Sequence, residues 1–396
     1  MTDCTFSHAR QWRQLLALTF AHGVADTFVG LVAPVLEPMR GRYGVSLGAL
    51  IFVASILGVS ANLFQIPLGH IKTTWTRPWT IAAGVLLAGT ATFIPWVPVG
   101  PYSVYGMAGL AALAGLGIAA VHPEGLRAVH GLDRITPSLS TAVFMVAGFA
   151  GFAGGAWISA KITEGFGLDA LVWLYPLAPL ATVPLLWSGV RMPGGRDEAP
   201  TPAPPEAGGL PAVPFWPLFA MAAVLATSSQ IQATLLPTYL HAVAGYTLSF
   251  SGLSFALFGL GSMAGAVLWG ALAPRLGHLR VLFVSTLAGA PLTVLYLWLA
   301  PQTKGAAALL AFTGFVVYTG FPLCVALSRD AVSSLRAGPR MGLISGGTWG
   351  IAAAALWIIG PVSNHTGVQG PLHLVWVGYL VAAVLTFMQI RKMRHT

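Results

Sequence analysis

Charge is what this chain has least of. Asp, Glu, Lys and Arg make up 8% of its 396 residues, and acidic residues number 11 against 20 basic ones. A soluble domain carries about a quarter charged residues, so a chain this poor in charge cannot cover a water-facing surface of its own. Cysteine is equally scarce. Cys4 lies in a polar tail and Cys324 inside an apolar run, which excludes a disulfide framework. No nucleophile stands at motif spacing from a base and no phosphate-binding glycine loop is present, so the reading is not an enzyme and implies no cofactor. The basic residues are scattered over many loops, and the net charge of +9 therefore does not amount to a nucleic-acid surface. A cleavable leader is not expected either: the first apolar run, from Leu15, is too long for a signal-peptide core and no small-residue cleavage site follows it.

What the chain has in abundance is apolar sequence in long blocks, with 56% hydrophobic residues and a mean hydropathy of +0.77. Blocks of about twenty residues can cross a hydrocarbon core of about 30 Å as helices. The first set of spans is predicted at Leu15–Leu36, Leu47–Leu68, Trp79–Val97, Val104–His122, Leu139–Ile162 and Leu168–Val190. The second set is predicted at Pro214–Leu240, Leu248–Leu272, Val281–Leu299, Ala306–Leu327, Gly342–Val362 and Leu372–Ile390. Between them runs the Pro- and Gly-rich stretch RMPGGRDEAPTPAPPEAGGLPAVP. The expected organisation is a six-helix bundle over residues 1–190, a cytoplasmic linker over 191–213 and a second six-helix bundle over 214–396. Placing both termini in the cytoplasm puts 16 Lys and Arg inside and leaves only Arg40, Arg42, Lys161 and Lys304 outside, as the positive-inside rule requires.

The two sets are related in sequence. An ungapped offset of 203 residues pairs Pro34 with Pro237, Tyr43 with Tyr246, Ser46 with Ser249, Leu50 with Leu253 and Gly58 with Gly261, within eight identities over 36 positions from Pro34 to Gly69. Parallel six-helix halves with a site between them at mid-membrane are the architecture of a rocking transporter.

A few polar residues break the apolar runs. Asp26 sits roughly 15 Å from either end of its span at about 1.5 Å rise per residue, where a charge costs about 2.5 kcal/mol or more. Thr19, His22 and Asp26 share one helical stripe with Gly30 and Ala33, so that stripe faces inward. His22 and Asp26, one turn apart, are expected to carry a coupling proton or else to form a structural hydrogen bond. The offset of 203 sets Ser229 opposite Asp26, so proton handling belongs to the first half alone. HPEGLR closes the fourth predicted span, with Pro123 ending its regular hydrogen bonding. There Glu124 and Arg127 are expected to gate or anchor, with Arg329 and Asp330 in the matching place on the tenth span. His122 is a candidate for binding substrate from the inner cavity. Gln230 and Thr234 on the seventh span, Tyr318 on the tenth, and Trp349 and Trp357 on the eleventh are further substrate candidates. A metal exporter using His22, Asp26, His122 and Glu124 is a weaker alternative, because the two sets fall on different helices at different depths and no Cys or His cluster is visible; a facilitative uptake carrier is another.

GALAPRLGHLR, from Gly270, resembles the loop motif of the major facilitator superfamily, with Pro274 where Asp is usual. In that superfamily the loop latches the two halves on the cytoplasmic side, which implies a gating role for Arg275. More narrowly, AHGVADTFVGLVAPVL, FQIPLGH, GLGIAAVHPEGLRAVHG and MGLISGGTWGIAAAALW together resemble the fosmidomycin-resistance group of efflux proteins. The resemblance implies an all-α membrane protein of the major facilitator fold, with 12 transmembrane helices in two pseudo-symmetric bundles. It further implies a monomer in the bacterial inner membrane that exports a small amphiphilic or anionic compound against protons. The seventh span lacks the Arg expected in that group and offers Ser228, Ser229, Gln230 and Gln232.

Overall fold

The computed structural model describes residues 8–70, 75–192, 213–317, 320–328, 331–335, 340 and 342–393. Among them are 12 helices long and apolar enough to cross a membrane. The first half holds His8–Tyr43, Leu47–Gly69, Trp79–Trp96, Ser103–His130, Leu139–Phe166 and Leu168–Trp187. The second holds Phe215–Val243, Leu248–Leu276, His278–Leu299, Ala306–Ser328, Leu343–Thr366 and Gln369–Met393. Each predicted span is met by one of these helices. An all-helical architecture of two pseudo-symmetric bundles follows, and one isolated bridge between Pro214 and Val332 is the extent of extended pairing among the described residues. Most of the predicted linker, residues 193–212, lies outside the described residues.

The fourth span corrects the sequence reading. It was expected to close at His122, yet the helix continues through Pro123 to His130. A proline removes one backbone donor from the ladder, and within a membrane bundle neighbouring groups compensate. His122 is therefore two turns inside the helix rather than at its mouth.

Small residues set the helix spacing. A Cβ on Gly151 of the fifth span would lie 2.0 Å from the carbonyl oxygen of Gly23 on the first, and one on Gly155 would lie 2.3 Å from that of Thr27. The first and fifth helices thus run backbone to backbone, a contact that only glycine permits. In the eleventh span Gly346 and Gly350, four residues apart, meet Asn62 and Leu63 of the second span.

Two paired seams join the halves. The second span packs along the eleventh, where the Ser55 hydroxyl donates to the Ala353 carbonyl at 2.7 Å, and the fifth packs along the eighth. At the membrane face opposite the chain termini both seams close in the same way. The backbone N–H of Gly48, in the first turn of the second span, donates to Asn364 Oδ1 at 2.8 Å. The N–H of Ser249, in the first turn of the eighth, donates to Glu164 Oε2 at 2.6 Å. Asn364 and Glu164 occupy the last turns of the eleventh and fifth spans, so the two latches are pseudo-symmetric mates.

The internal duplication is visible in contacts as well as letters. Tyr43 donates its hydroxyl to the Val97 carbonyl at 2.8 Å and Tyr246 donates to that of Ala300 at 2.7 Å, and both pairs are 203 residues apart. Beyond the tyrosines the ungapped register slips. Ser46 caps the second span by accepting from Ala49 N, and its structural mate is Thr247, which accepts from Phe250 N. The connection is two residues shorter in the second half, since Tyr43 precedes its capping residue by three positions and Tyr246 by one. Gly58 accordingly corresponds to Gly259 and not to Gly261: a Cβ on Gly58 would meet Ala353 at 2.9 Å and one on Gly259 would meet Ala153 at 2.7 Å.

Candidate functional site

Three side chains from the first and fourth spans converge in the first half. His22 Nε2 lies 3.3 Å from Asp26 Oδ2, as the one-turn spacing predicts. His122 joins them, its Nε2 3.6 Å from Asp26 Oδ1 and 3.4 Å from His22 Nε2. The separation in depth expected between His22 and His122 does not exist, because the fourth helix runs on past Pro123 and carries His122 inward. Glu124 faces elsewhere and takes no part. His22, Asp26 and His122 are the group of potential metal ligands that meets among the described residues, with ligand atoms all within 4.8 Å of one another.

The surroundings determine the tautomers. His22 Nδ1 lies 2.8 Å from the Phe144 carbonyl oxygen, and His122 Nδ1 lies 2.9 Å from that of Ile118. A carbonyl can only accept, so each Nδ1 must carry a hydrogen. In the neutral rings both Nε2 atoms then present lone pairs, and they present them to each other and to the carboxylate. Three acceptors converge with no donor among them, an arrangement that requires one proton or one cation to be stable.

Burial grades across the group. His22 is 1% exposed, sandwiched by Phe144, whose ring stacks on it with centroids 4.0 Å apart. Asp26 and His122 keep 15% and 23% of their side-chain surface accessible. The fifth span supplies the space as well as the stack: a Cβ on Gly148 would lie 2.4 Å from His22 Cε1 and 2.5 Å from Asp26 Oδ2. Phe144, Gly148 and the carbonyl of Ile118 escaped the sequence reading. A further glycine beside Gly151 and Gly155 was the one available signal.

Thr19, one turn before His22, has a buried hydroxyl with no hydrogen-bond partner. Gln230 contacts Thr234 at 3.4 Å along the seventh span and lies beside Gly58 of the second. Trp349 packs edge-on against Phe321 of the tenth span, while Trp357 is 47% exposed. Glu124 is buried and Arg127 Nη1 lies 3.0 Å from its Oε1. This ion pair closes within one helix and not between helices, and Arg127 also reaches the Gly69 carbonyl at 3.4 Å. Arg275 is exposed and forms no ion pair among the described residues. Tyr318, Arg329 and Asp330 lie outside the described residues.

A profile of the Major Facilitator Superfamily matches residues 18–356. The chain belongs to the major facilitator superfamily. This major facilitator protein is thus a multi-pass membrane transporter. The fosmidomycin resistance protein of Escherichia coli (strain K12) is 21% identical to it over 371 residues, which cover 89% of this chain and 87% of that protein. A bacterial homologue of the human lysosomal transporter Spinster, solved inward-facing and occupied, superposes with a TM-score of 0.70 at 15% identity over 98% of each chain. A nucleoside transporter superposes with a TM-score of 0.69 at 15% identity, over 96% of this chain and 99% of its own. These structures share the major facilitator fold with this transporter.

Proposed function

We propose that this transporter exports a small amphiphilic or anionic compound in exchange for protons, by alternating access in the bacterial inner membrane, as a monomer with both termini cytoplasmic. The observation that carries the reading is the convergence of His22 Nε2, Asp26 and His122 Nε2 with no donor among them. A proton placed there turns a repulsive contact into a hydrogen bond, and its departure leaves a carboxylate in a setting where charge is costly. Its binding and release are therefore coupled to what the surrounding helices do. His22 and Asp26 carry the proton and His122 completes the group.

Substrate contacts fall to Thr19, with its unpaired hydroxyl, and to Gln230, Thr234, Tyr318, Trp349 and Trp357 from the other half. Glu124, Arg127, Arg275, Arg329 and Asp330 gate the side of the membrane that bears the termini. Proteoliposome flux under an imposed pH gradient, across a panel of phosphonates, carboxylates and lipophilic cations, tests the reading. Asp26→Asn should abolish gradient-driven transport while the protein still assembles; unchanged coupling in that variant would defeat it.

A further inference from the structure

We infer that His22, Asp26 and His122 form a binding site for one divalent transition-metal ion of the zinc class, and that the bound ion blocks transport. The second clause rests on the proposed proton reading; the first stands without it. Two imidazole nitrogens and one carboxylate are a ligand set for zinc that leaves a fourth position open. Both rings have the support that metal-binding histidines need, the distal N–H held by a carbonyl: Phe144 for His22 at 2.8 Å and Ile118 for His122 at 2.9 Å. That support leaves the Nε2 lone pair of each ring free for a ligand, and the two Nε2 atoms lie 3.4 Å apart.

The distances fit an ion. Bonds of about 2.0–2.1 Å in a tetrahedron place neighbouring ligand atoms about 3.3–3.4 Å apart. The three separations here are 3.3, 3.4 and 3.6 Å, so the side chains need almost no rearrangement. Space is present too, because Gly148 leaves empty the position where a Cβ would stand 2.5 Å from Asp26 Oδ2 and 2.7 Å from His22 Nε2. Asp26 and His122 retain 15% and 23% accessibility, which provides an approach to the open side. Nitrogen ligands select zinc, cobalt, nickel or copper over magnesium and calcium, which take oxygen. The ion is a blocker and not cargo: all three ligands come from one half, whereas a transported ligand is held between the halves.

The test uses the full-length protein, purified through a histidine-free tag in lipid nanodiscs. Titration with Co²⁺ should give the intense visible absorption of a tetrahedral site at a stoichiometry of one, and Zn²⁺ should bleach it while Mg²⁺ does not. His122→Gln and Asp26→Asn should each weaken Zn²⁺ binding by about 100-fold or more, since loss of an outer-shell partner alone costs 10- to 100-fold. Thermal melts of the wild type guard against a misfolded variant, because Zn²⁺ but not Mg²⁺ should raise its melting temperature to an endpoint at one equivalent. Absence of a one-to-one site in the wild type, or wild-type affinity in both variants, overturns the metal site. Full transport with Zn²⁺ bound overturns the block. If Zn²⁺ binds but Asp26→Asn keeps its proton coupling, the proton reading falls and the metal site stands; if Zn²⁺ does not bind and Asp26→Asn is uncoupled, the reverse holds.

Discussion

His22 and His122 meet edge to face, ring centroids 4.9 Å apart and planes at 87°, with their Nε2 atoms 3.4 Å from one another. Both rings are pinned from behind by a backbone carbonyl, so neither can turn a hydrogen toward the other without breaking that bond. The pair consequently behaves as one acceptor unit facing Asp26. Its two members differ in burial, and that difference separates their roles by experiment.

His22→Gln should lose both coupling and stability, because the Phe144 stack and the carbonyl bond go with the ring; a cost of about 1–3 kcal/mol is expected for such a buried site. His122→Gln should lose coupling with little change in melting temperature. Thermal melts paired with gradient-driven flux check this. Full coupling in His122→Gln would confine the proton to His22 and Asp26.

Gly148→Ala should abolish coupling and cost about 1–3 kcal/mol, as overpacking does, since the new methyl falls on His22 and Asp26. Gly154→Ala, on the same helix with nothing within 4 Å, is the matched control and should behave as wild type. Equal transport by the two variants would show that the space beside the cluster is not needed.

The latches at Gly48–Asn364 and Ser249–Glu164 tie the two halves together at the face opposite the termini. Asn364→Ala and Glu164→Ala should each favour opening there by roughly two- to fivefold, about 0.5–1 kcal/mol for a solvent-screened contact to a helix N-terminus. Their effects should multiply in the double variant because the sites are independent. Spin-label distances across the second and eleventh spans measure the opening; a double variant no more open than the wild type would remove the latches from the closure.

Tyr43→Phe and Tyr246→Phe should be destabilising by a similar amount, about 1 kcal/mol each, because their hydroxyls serve equivalent carbonyls. Denaturation midpoints of the two variants test the equivalence, and a large inequality would argue that only one half depends on this tie.

The spans were legible because a block of apolar residues about 30 Å long has one stable use. The His22–Asp26 contact was legible because helical spacing alone brings residues one turn apart together. His122 was misplaced by a local rule applied without context: Pro123 marks a helix end in water, but here the chain pays one lost hydrogen bond and continues to His130. Gly151 and Gly155 stand at the four-residue spacing of helix-packing glycines. Gly148 could be recognised as room for the cluster only once the first and fifth helices were docked. The carbonyls of Phe144 and Ile118 carry no residue code at all, so the tautomers were beyond any reading of letters. The offset of 203 held at Tyr43 and failed at Gly58, because an ungapped comparison cannot register a connection shortened by two residues.

The fifth span has a place in this molecule that its composition does not announce. On one side its Phe144 and Gly148 form the seat of His22, and on the other its Ala153 and Ala156 bear on Gly259 and Gly252 of the opposite half. A single helix therefore touches the other bundle and the acceptor cluster at once. Under the proposed rocking and proton exchange, a slide of that helix would change the fit around His22, so the hold on a proton would follow helix position and one element would convert displacement to chemistry.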